Sequence, residues 1–454
     1  MAERRLQILQ VSTADIQGGA EKVAWNLFTT YRAHGHCSWL AVGKKRSNDS
    51  NVRIIPNQQA RGRGYHFFQG ISSRLQQTDG KHSVVSPLNR LAGILAEPGR
   101  RFDLYHGIED FHFPGTSRLL TLFGGWPDIL HAHNLHGGYF DLRMLPWLSR
   151  QVPVFITLHD AWLLSGHCAH SFSCEKWKTG CGKCPDLTIY PDIQRDATSY
   201  NWRRKREIYA RSRLYVATPS HWLMSRVEES ILAPGVAEAR ILPNGVDLDT
   251  FQPTDRQTAR AELGLQQEAK VLLSTGIMVK ENRWKDYWTL REAVARAAEQ
   301  PGLQNLQLIV LGGDAPPERI GQANIRFIPF QEEAKIVARY YQAADLYVHA
   351  ALADTFPFGV LEALACGTQV VATAVGGIPE QVEEGRTGFL VPAGEAAEMA
   401  ARIVQLLSEQ NINKGMGGMA AESARRKFGL GRQTDAYLDW YHELVREKTR
   451  RIKD

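Results

Sequence analysis

Two carboxylates, Asp354 and Glu362, flank the segment Thr-Phe-Pro-Phe-Gly-Val-Leu in this chain. The second acid lies in an apolar run, Val360 to Ala365, that reads as a helix opening; Gly367 ends that helix, and Gln369 to Ala372 reads as a short buried strand. Backbone N–H groups at a helix N-terminus attract anions. Carboxylates beside them accept hydrogen bonds from hydroxyl groups. Together these features suit a phosphorylated sugar such as a nucleotide sugar. The plainer reading is a loop acid followed by a helix-capping Glu.

Other residues could do chemistry. Gly18-Gly19 lies between a strand and a helix, where amides without side chains can meet a diphosphate or acceptor, or form an ordinary turn. His159 and Asp160 end the apolar run Val154-Phe-Ile-Thr-Leu; His159 could be an active-site group or a hydrogen-bonded core residue, and Asp160 could fix its tautomer or cap the next helix. His131, His133 and His136 end the preceding strand and could line an acceptor side or be structural. Cys168, Cys174, Cys181 and Cys184 carry a Cys-x2-Cys half with metal-knuckle spacing, and four thiolates could complete a structural zinc shell, with His167 and His170 as spare ligands. Free thiols are the other reading. Asp247-Leu-Asp249 spells Asp-x-Asp inside a linker, with no strand to place it in a cleft, and is taken as structural.

These residues need elements to hold them. Strands are expected at Leu6–Ser12, His36–Val42, Ile129–His133, Val154–His159 and Leu214–Pro219, with a helix from Ala20 to Ala33 and a basic helix over 201–213. The β-α-β order predicts a parallel sheet. Residues 56–118 are irregular, with helical pieces at Gly70–Leu75 and Pro87–Ala96. A break at Ile241-Leu-Pro-Asn-Gly-Val-Asp opens a second set. Its strands are expected at Val271–Thr275, Leu306–Leu311, Ile325–Pro329, Leu346–His349 and Val370–Thr373. Its helices are expected at Asp286–Ala298, Lys335–Ala343, Val360–Ala365, Ile378–Glu383 and Glu395–Ser408, and a last helix spans about Arg432 to Lys448. The fold class is α/β with two doubly wound domains. Domain one is 1–240, with insertions at 56–118 and 165–190; domain two is 241–430; residues 431–454 form a C-terminal helix expected to pack back towards domain one.

A chain of 454 residues can hold two or three domains. With 43% hydrophobic and 22% charged residues it reads as an ordinary globular protein. The charged start leading into a strand argues against a signal peptide, and no run reaches the roughly 20 apolar residues that span a bilayer. A cytoplasmic location is expected. The net charge of +6 is uneven: residues 1–218 hold 28 Lys and Arg against 17 Asp and Glu. A basic first half suits an anionic membrane surface or a phosphate-bearing acceptor, or is a solvated face. Nucleic acid is not expected, since no binding module accompanies the charge.

Five ordered pieces resemble glycosyltransferase family four, retaining enzymes of the GT-B fold: Gly18-Gly19-Ala20-Glu21, Thr157-Leu-His159-Asp160, Pro243-Asn-Gly-Val-Asp247 with Phe251, Asp354 to Glu362, and Gly376-Gly377-Ile-Pro-Glu380 followed by Gly388-Phe-Leu-Val. The cysteine insert resembles a branch of bacterial exopolysaccharide or colanic-acid type sugar transferases. The resemblance implies two Rossmann-like domains facing across a cleft. It places Asp354 on sugar hydroxyls, Glu362 on the nucleotide ribose, and the backbone of Phe358-Gly359-Val360 against the transferred sugar. It makes His159 an active-site group that positions substrate and stabilises charge. An Arg and a Lys neutralise the donor diphosphate in the family. Here Lys285 is retained, Ile277 stands where the Arg is usual, Asp286 replaces a Gly, and Arg283 or Lys280 could supply the missing charge. Glu380 either shapes the donor loop or caps a helix.

The activity implied is metal-independent, retaining transfer from a nucleoside-diphosphate sugar to a saccharide or lipid-linked acceptor, in surface polysaccharide assembly at the inner face of the membrane, with no cofactor. The alternatives are a GT-B epimerase, which forms product from the donor alone, a phosphorylase, disfavoured because no pyridoxal-phosphate lysine motif is present, and an inactive nucleotide-sugar-binding module.

Overall fold

The computed structural model describes residues 4–78, 91, 94–408 and 410–451. The chain divides into two compact units: Met1–Thr218 with Met224–Arg240 and Tyr441–Asp454, and Pro219–Leu223 with Ile241–Trp440.

The first unit carries β1 (Gln7–Ala14), β2 (Cys37–Lys44), β3 (Val52–Ile54), β4 (Ile129–His133), β5 (Val154–Thr157), β6 (Leu214–Thr218) and β7 (Val236–Ile241), in sheet order β3-β2-β1-β4-β5-β6-β7. β1 pairs in parallel with both β2 and β4, so the order reverses beside β1. Strands β4, β5 and β6 are buried at every residue, which is why β5 and β6 read as largely apolar runs and not as alternation, while β4 carries His131 and His133. The helix Gly19–Ala33 buries Ala20, Val23, Ala24, Leu27, Phe28 and Tyr31, the i, i+3, i+4, i+7 stripe of an amphipathic helix.

The second unit carries β8 (Val271–Thr275), β9 (Gln307–Leu311), β10 (Glu318–Ile320), β11 (Ala323–Ile328), β12 (Leu346–His349), β13 (Gln369–Thr373) and β14 (Gly388–Val391), ordered β10-β11-β9-β8-β12-β13-β14. Only β10, against β11, is antiparallel among the recorded pairs of this sheet. The order reverses between β8 and β12, and ligands of doubly wound sheets bind beyond the carboxyl ends at such a switch point.

Several expected boundaries shift. β5 stops at Thr157, so His159 lies in the loop beyond the strand. The helix expected from Val360 begins at Phe358, which puts Phe358 and Gly359 in its first turn and Glu362 inside it. The basic helix runs from Thr198 to Ala210. Its Lys205 is buried against Glu109 at 2.7 Å, so that cation is not part of a charged surface. The helical piece at Gly70–Leu75 belongs to a longer helix, Arg63–Thr78. The piece at Pro87–Ala96 falls largely outside the described residues. A helix at Gln410–Lys427 was not anticipated, because its glycines weaken the helical pattern. A Cβ at Gly417 would stand 2.5 Å from the carbonyl oxygen of Gly367. Tertiary packing thus demands glycine where local propensity resists it. The closing helix, Leu430–Arg451, supplies residues from Tyr441 onward to the first unit, where the Tyr441 hydroxyl meets Tyr31 and His131.

Candidate functional site

Each unit gathers polar side chains at the carboxyl ends of its central strands. In the second unit Thr275 ends β8, and Tyr347 and His349 stand two residues apart on β12, hence on one face of it. Asp354 follows in the next loop. Its Oδ2 lies 2.7 Å from Lys285 Nζ and 3.3 Å from His349 Nε2. Tyr347 OH lies 3.1 Å from His349 Nδ1 and 3.0 Å from Thr275 Oγ1. Thr275 Oγ1 lies 3.3 Å from Tyr341 OH, which donates to Glu362 Oε2 at 2.9 Å. One hydrogen-bonded chain therefore joins Lys285, Asp354, His349, Tyr347, Thr275, Tyr341 and Glu362. Burial alone would raise the Asp354 carboxyl, but Lys285 and His349 outweigh it and hold the group well below the usual carboxylate range. His349 is pushed down by burial, against the pull of Asp354.

Close backbone approach fixes this chain. Gly376 has φ +57°, and a Cβ there would overlap the carbonyl oxygen of Asp354. Gly377 N–H donates to the Thr355 carbonyl at 3.0 Å. The Gly-Gly pair thus clamps the loop that carries the acid. A Cβ at Gly359 would stand 2.2 Å from Tyr347 OH. Val360 is fully buried, and the helix from Phe358 opens after Pro357, whose side chain makes no capping hydrogen bond. Asp286 adopts left-handed backbone, φ 41°, and caps the helix Tyr287–Ala298 through Thr289 N–H; this conformation favours glycine, and Asp is among the residues that tolerate it. Ile277 is half exposed. Lys280 is committed to Glu318, and Arg283 is exposed on the same loop. Glu380 accepts from the amides of His221 and Trp222, so of its two expected roles it caps a helix. Asp247 likewise closes a local turn, accepting from Asp249 N–H and the Thr250 hydroxyl.

In the first unit the histidines after β4 and β5 converge. His133 Nε2 faces Gln10 Oε1 at 2.9 Å, so it is the donor there; Nδ1 then accepts from His159 Nε2 at 3.1 Å. His131 lies between Thr157 Oγ1 and Tyr441 OH, each at 2.7 Å. Burial pushes His131 down to about 3 and His159 down to about 4, so both are neutral near pH 7. His136 is opposite in character. Burial opposes its charge, but Asp160, 2.7 Å from Nε2, outweighs burial and raises it. Asp160 therefore fixes His136, and its other oxygen caps the turn at Trp162. Gly18 lies ahead of the helix Gly19–Ala33, and the Glu21 carboxylate occupies the space where a Gly18 Cβ would project, next to the amides offered to an anion.

Cys168, Cys174, Cys181 and Cys184 form no disulfide. His167 Nε2 lies 3.4 Å from Cys184 Sγ, and Gly166 N–H donates to Cys181 Sγ. Burial pushes Cys181 up to about 12. Among the described residues no three His, Cys, Asp or Glu groups are arranged to hold a metal ion.

Sequence reasoning missed Thr275, Tyr341, Tyr347 and His349. One signal was available: Tyr and His alternating in the otherwise apolar strand Leu346–His349, just before the acid.

Residues 17–250 match the model of Glycosyltransferase Family 4, and residues 269–409 match that of Glycosyl transferases group 1. A D-inositol 3-phosphate glycosyltransferase of Mycobacterium bovis is 30% identical over 384 residues, 80% of this chain and 72% of that protein. The same-named protein of Actinosynnema mirum is 33% identical over 225 residues, 46% of this chain and 53% of its own length, so the match spans about half of it. The solved structure of Anabaena HepE in complex with UDP and glucose superimposes with a TM-score of 0.61 at 18% identity, covering 96% of this chain and 99% of that one.

Proposed function

Because the chain belongs to glycosyltransferase family 4 and has the GT-B fold of two Rossmann-like units, we propose that it transfers a sugar from a nucleoside-diphosphate sugar to a saccharide acceptor. The observation that carries this reading is the hydrogen-bonded chain from Lys285 to Glu362 at the switch point of the second sheet. Glu362, held by Tyr341, accepts from the ribose of the donor. Both recorded bonds of Asp354 use Oδ2, which leaves Oδ1 for a hydroxyl of the transferred sugar. Lys285, oriented by Asp354, supplies positive charge as the leaving diphosphate gains negative charge. The first-turn amides of the helix that opens at Phe358 add to that field. UDP and glucose in the HepE structure favour a uridine nucleotide among the donors to try.

Finer assignments belong to the same proposal. Transfer retains configuration and needs no catalytic metal. His159, neutral and fixed through His133, positions the acceptor hydroxyl, and the leaving phosphate takes its proton. The acceptor is lipid-linked, and the reaction belongs to surface polysaccharide assembly at a membrane face, in keeping with the basic first half. No helix among the described residues is long and apolar enough to cross a membrane. The relatives named above speak for the family and not for the exopolysaccharide branch.

The test is turnover of a nucleotide-sugar panel with and without acceptor, comparing wild type with Glu362→Ala and His159→Ala. Both variants should lose most transfer. Unchanged turnover in both refutes the assignment; product from donor alone points to an epimerase, and nucleotide binding without turnover to a binding module.

A further inference from the structure

The second unit holds a cavity of about 550 Å³ at the amino ends of its central strands, the side opposite to the donor groups. Lys270 precedes β8, Asp345 precedes β12 and Thr368 precedes β13, and all three line it. His349 lies four residues on from Asp345, about 13 Å along an extended strand, so this cavity is separate from the chain of Lys285 to Glu362. We propose that it is a second ligand site, which takes a phosphorylated sugar.

Charge argues for the phosphate. Arg256, Arg260 and Lys270 line the cavity against two carboxylates, Glu268 and Asp345. Asp345 is already engaged: Oδ1 accepts from Arg256 at 2.8 Å, and Oδ2 accepts from Arg260 at 2.7 Å and from Val271 N–H at 2.8 Å. Arg260 is fixed further by the carbonyls of Ala343 and Gln267. Among the described residues the half-buried Lys270 ammonium has no recorded partner. Two arginines held in place around one shared carboxylate, with a lysine beside them, leave a net positive field that an anion would offset.

The rest of the lining argues for a sugar and against a nucleobase. Thr254, Gln257 and Gln267 offer hydroxyl and amide groups, and the Glu268 carboxylate, with no recorded cation, accepts from hydroxyls. Among the described residues no aromatic side chain lines the cavity, so a base would find no face to stack on. Glycine keeps the space open. Gly417 and Gly418 both lie inside the helix Gln410–Lys427, where glycine is disfavoured. Packing against Gly367 explains Gly417, but a Cβ at Gly418 would meet nothing within 4 Å among the described residues. Gly418 lines the cavity, and a side chain there would project from its wall.

The test is calorimetry of the full chain with glucose 6-phosphate, glucose, inorganic phosphate and UDP. Glucose 6-phosphate should bind at least tenfold more tightly than glucose or phosphate, and UDP should not displace it. Lys270→Met and Gly418→Leu should each weaken it at least tenfold, whereas Glu362→Ala, in the donor site, should bind it as tightly as wild type. Gly418→Leu meets no protein atom and favours the helix, so it should melt no lower than wild type, and its loss of binding then reports the cavity. No binding, equal affinity for glucose, displacement by UDP, loss in Glu362→Ala, or unchanged affinity in both Lys270→Met and Gly418→Leu would overturn the proposal. None of these readouts involves turnover, so such a failure leaves the transferase reading standing.

Discussion

Gly359→Ala sets local preference against tertiary contact. Gly359 is the second residue of a helix, where alanine is intrinsically favoured by about 1 kcal/mol. The added Cβ, however, would stand 2.2 Å from Tyr347 OH and 2.6 Å from Thr275 Oγ1. Comfortable separation between such atoms is about 3.5 Å. Tyr347 is fully buried, so its ring cannot retreat without disturbing the core. Overpacking of this kind costs about 1–3 kcal/mol. Displacing the Tyr347 hydroxyl also strains its bonds to Thr275 and His349, each worth about 1 kcal/mol. The net expectation is a loss of about 2–4 kcal/mol, read as a fall in Tm on the order of 5–10 °C for a unit of this size. Urea unfolding gives the free energy, and nucleotide-sugar titration reads the effect on Glu362 and Asp354, which the same hydrogen bonds connect. A variant that melts at or above the wild-type temperature would show that the helix does not approach Tyr347 this closely.

Further perturbations probe other contacts. Lys285→Met leaves Asp354 buried without its cation and should cost on the order of 2 kcal/mol at pH 7. Because the folded carboxyl lies below its usual 3.8, the stabilisation is present above that pH and is lost as pH falls towards the folded value, so urea denaturation should show the gap between variant and wild type narrowing below about pH 4. Tyr441→Phe removes the hydroxyl shared by Tyr31 and His131 and should cost about 1–3 kcal/mol in chemical denaturation; no measurable change would mean the terminal helix is not held there. Asp160→Asn removes what raises His136. A raised histidine contributes stability fully present below its unfolded value of 6.5 and lost as pH rises through the folded value. Wild type should therefore lose stability relative to the variant as pH rises above about 6.5, and parallel pH curves would refute the pairing.

The positions of most strands could be read directly, because a strand buried on both faces is a continuous apolar run. Val154–Thr157, Leu308–Leu311 and Val370–Ala372 are such runs, and the alternation of strands with helical stripes fixed the class as doubly wound α/β. The motif residues could also be picked out, since Gly376-Gly377 and the paired acids are local patterns. Which groups meet was not local information. Lys285 and Asp354 are 69 residues apart, and Tyr341 and Thr275 are 66 apart. Their contact depends on β12 inserting beside β8, a matter of strand order that no periodicity encodes. The pairing of Asp160 with His136, the glycine-bearing helix Gln410–Lys427 and the burial of Lys205 against Glu109 were decided in the same way. Chain-local patterns report what each segment must bury, whereas the partners of a buried polar group are chosen only when distant segments pack.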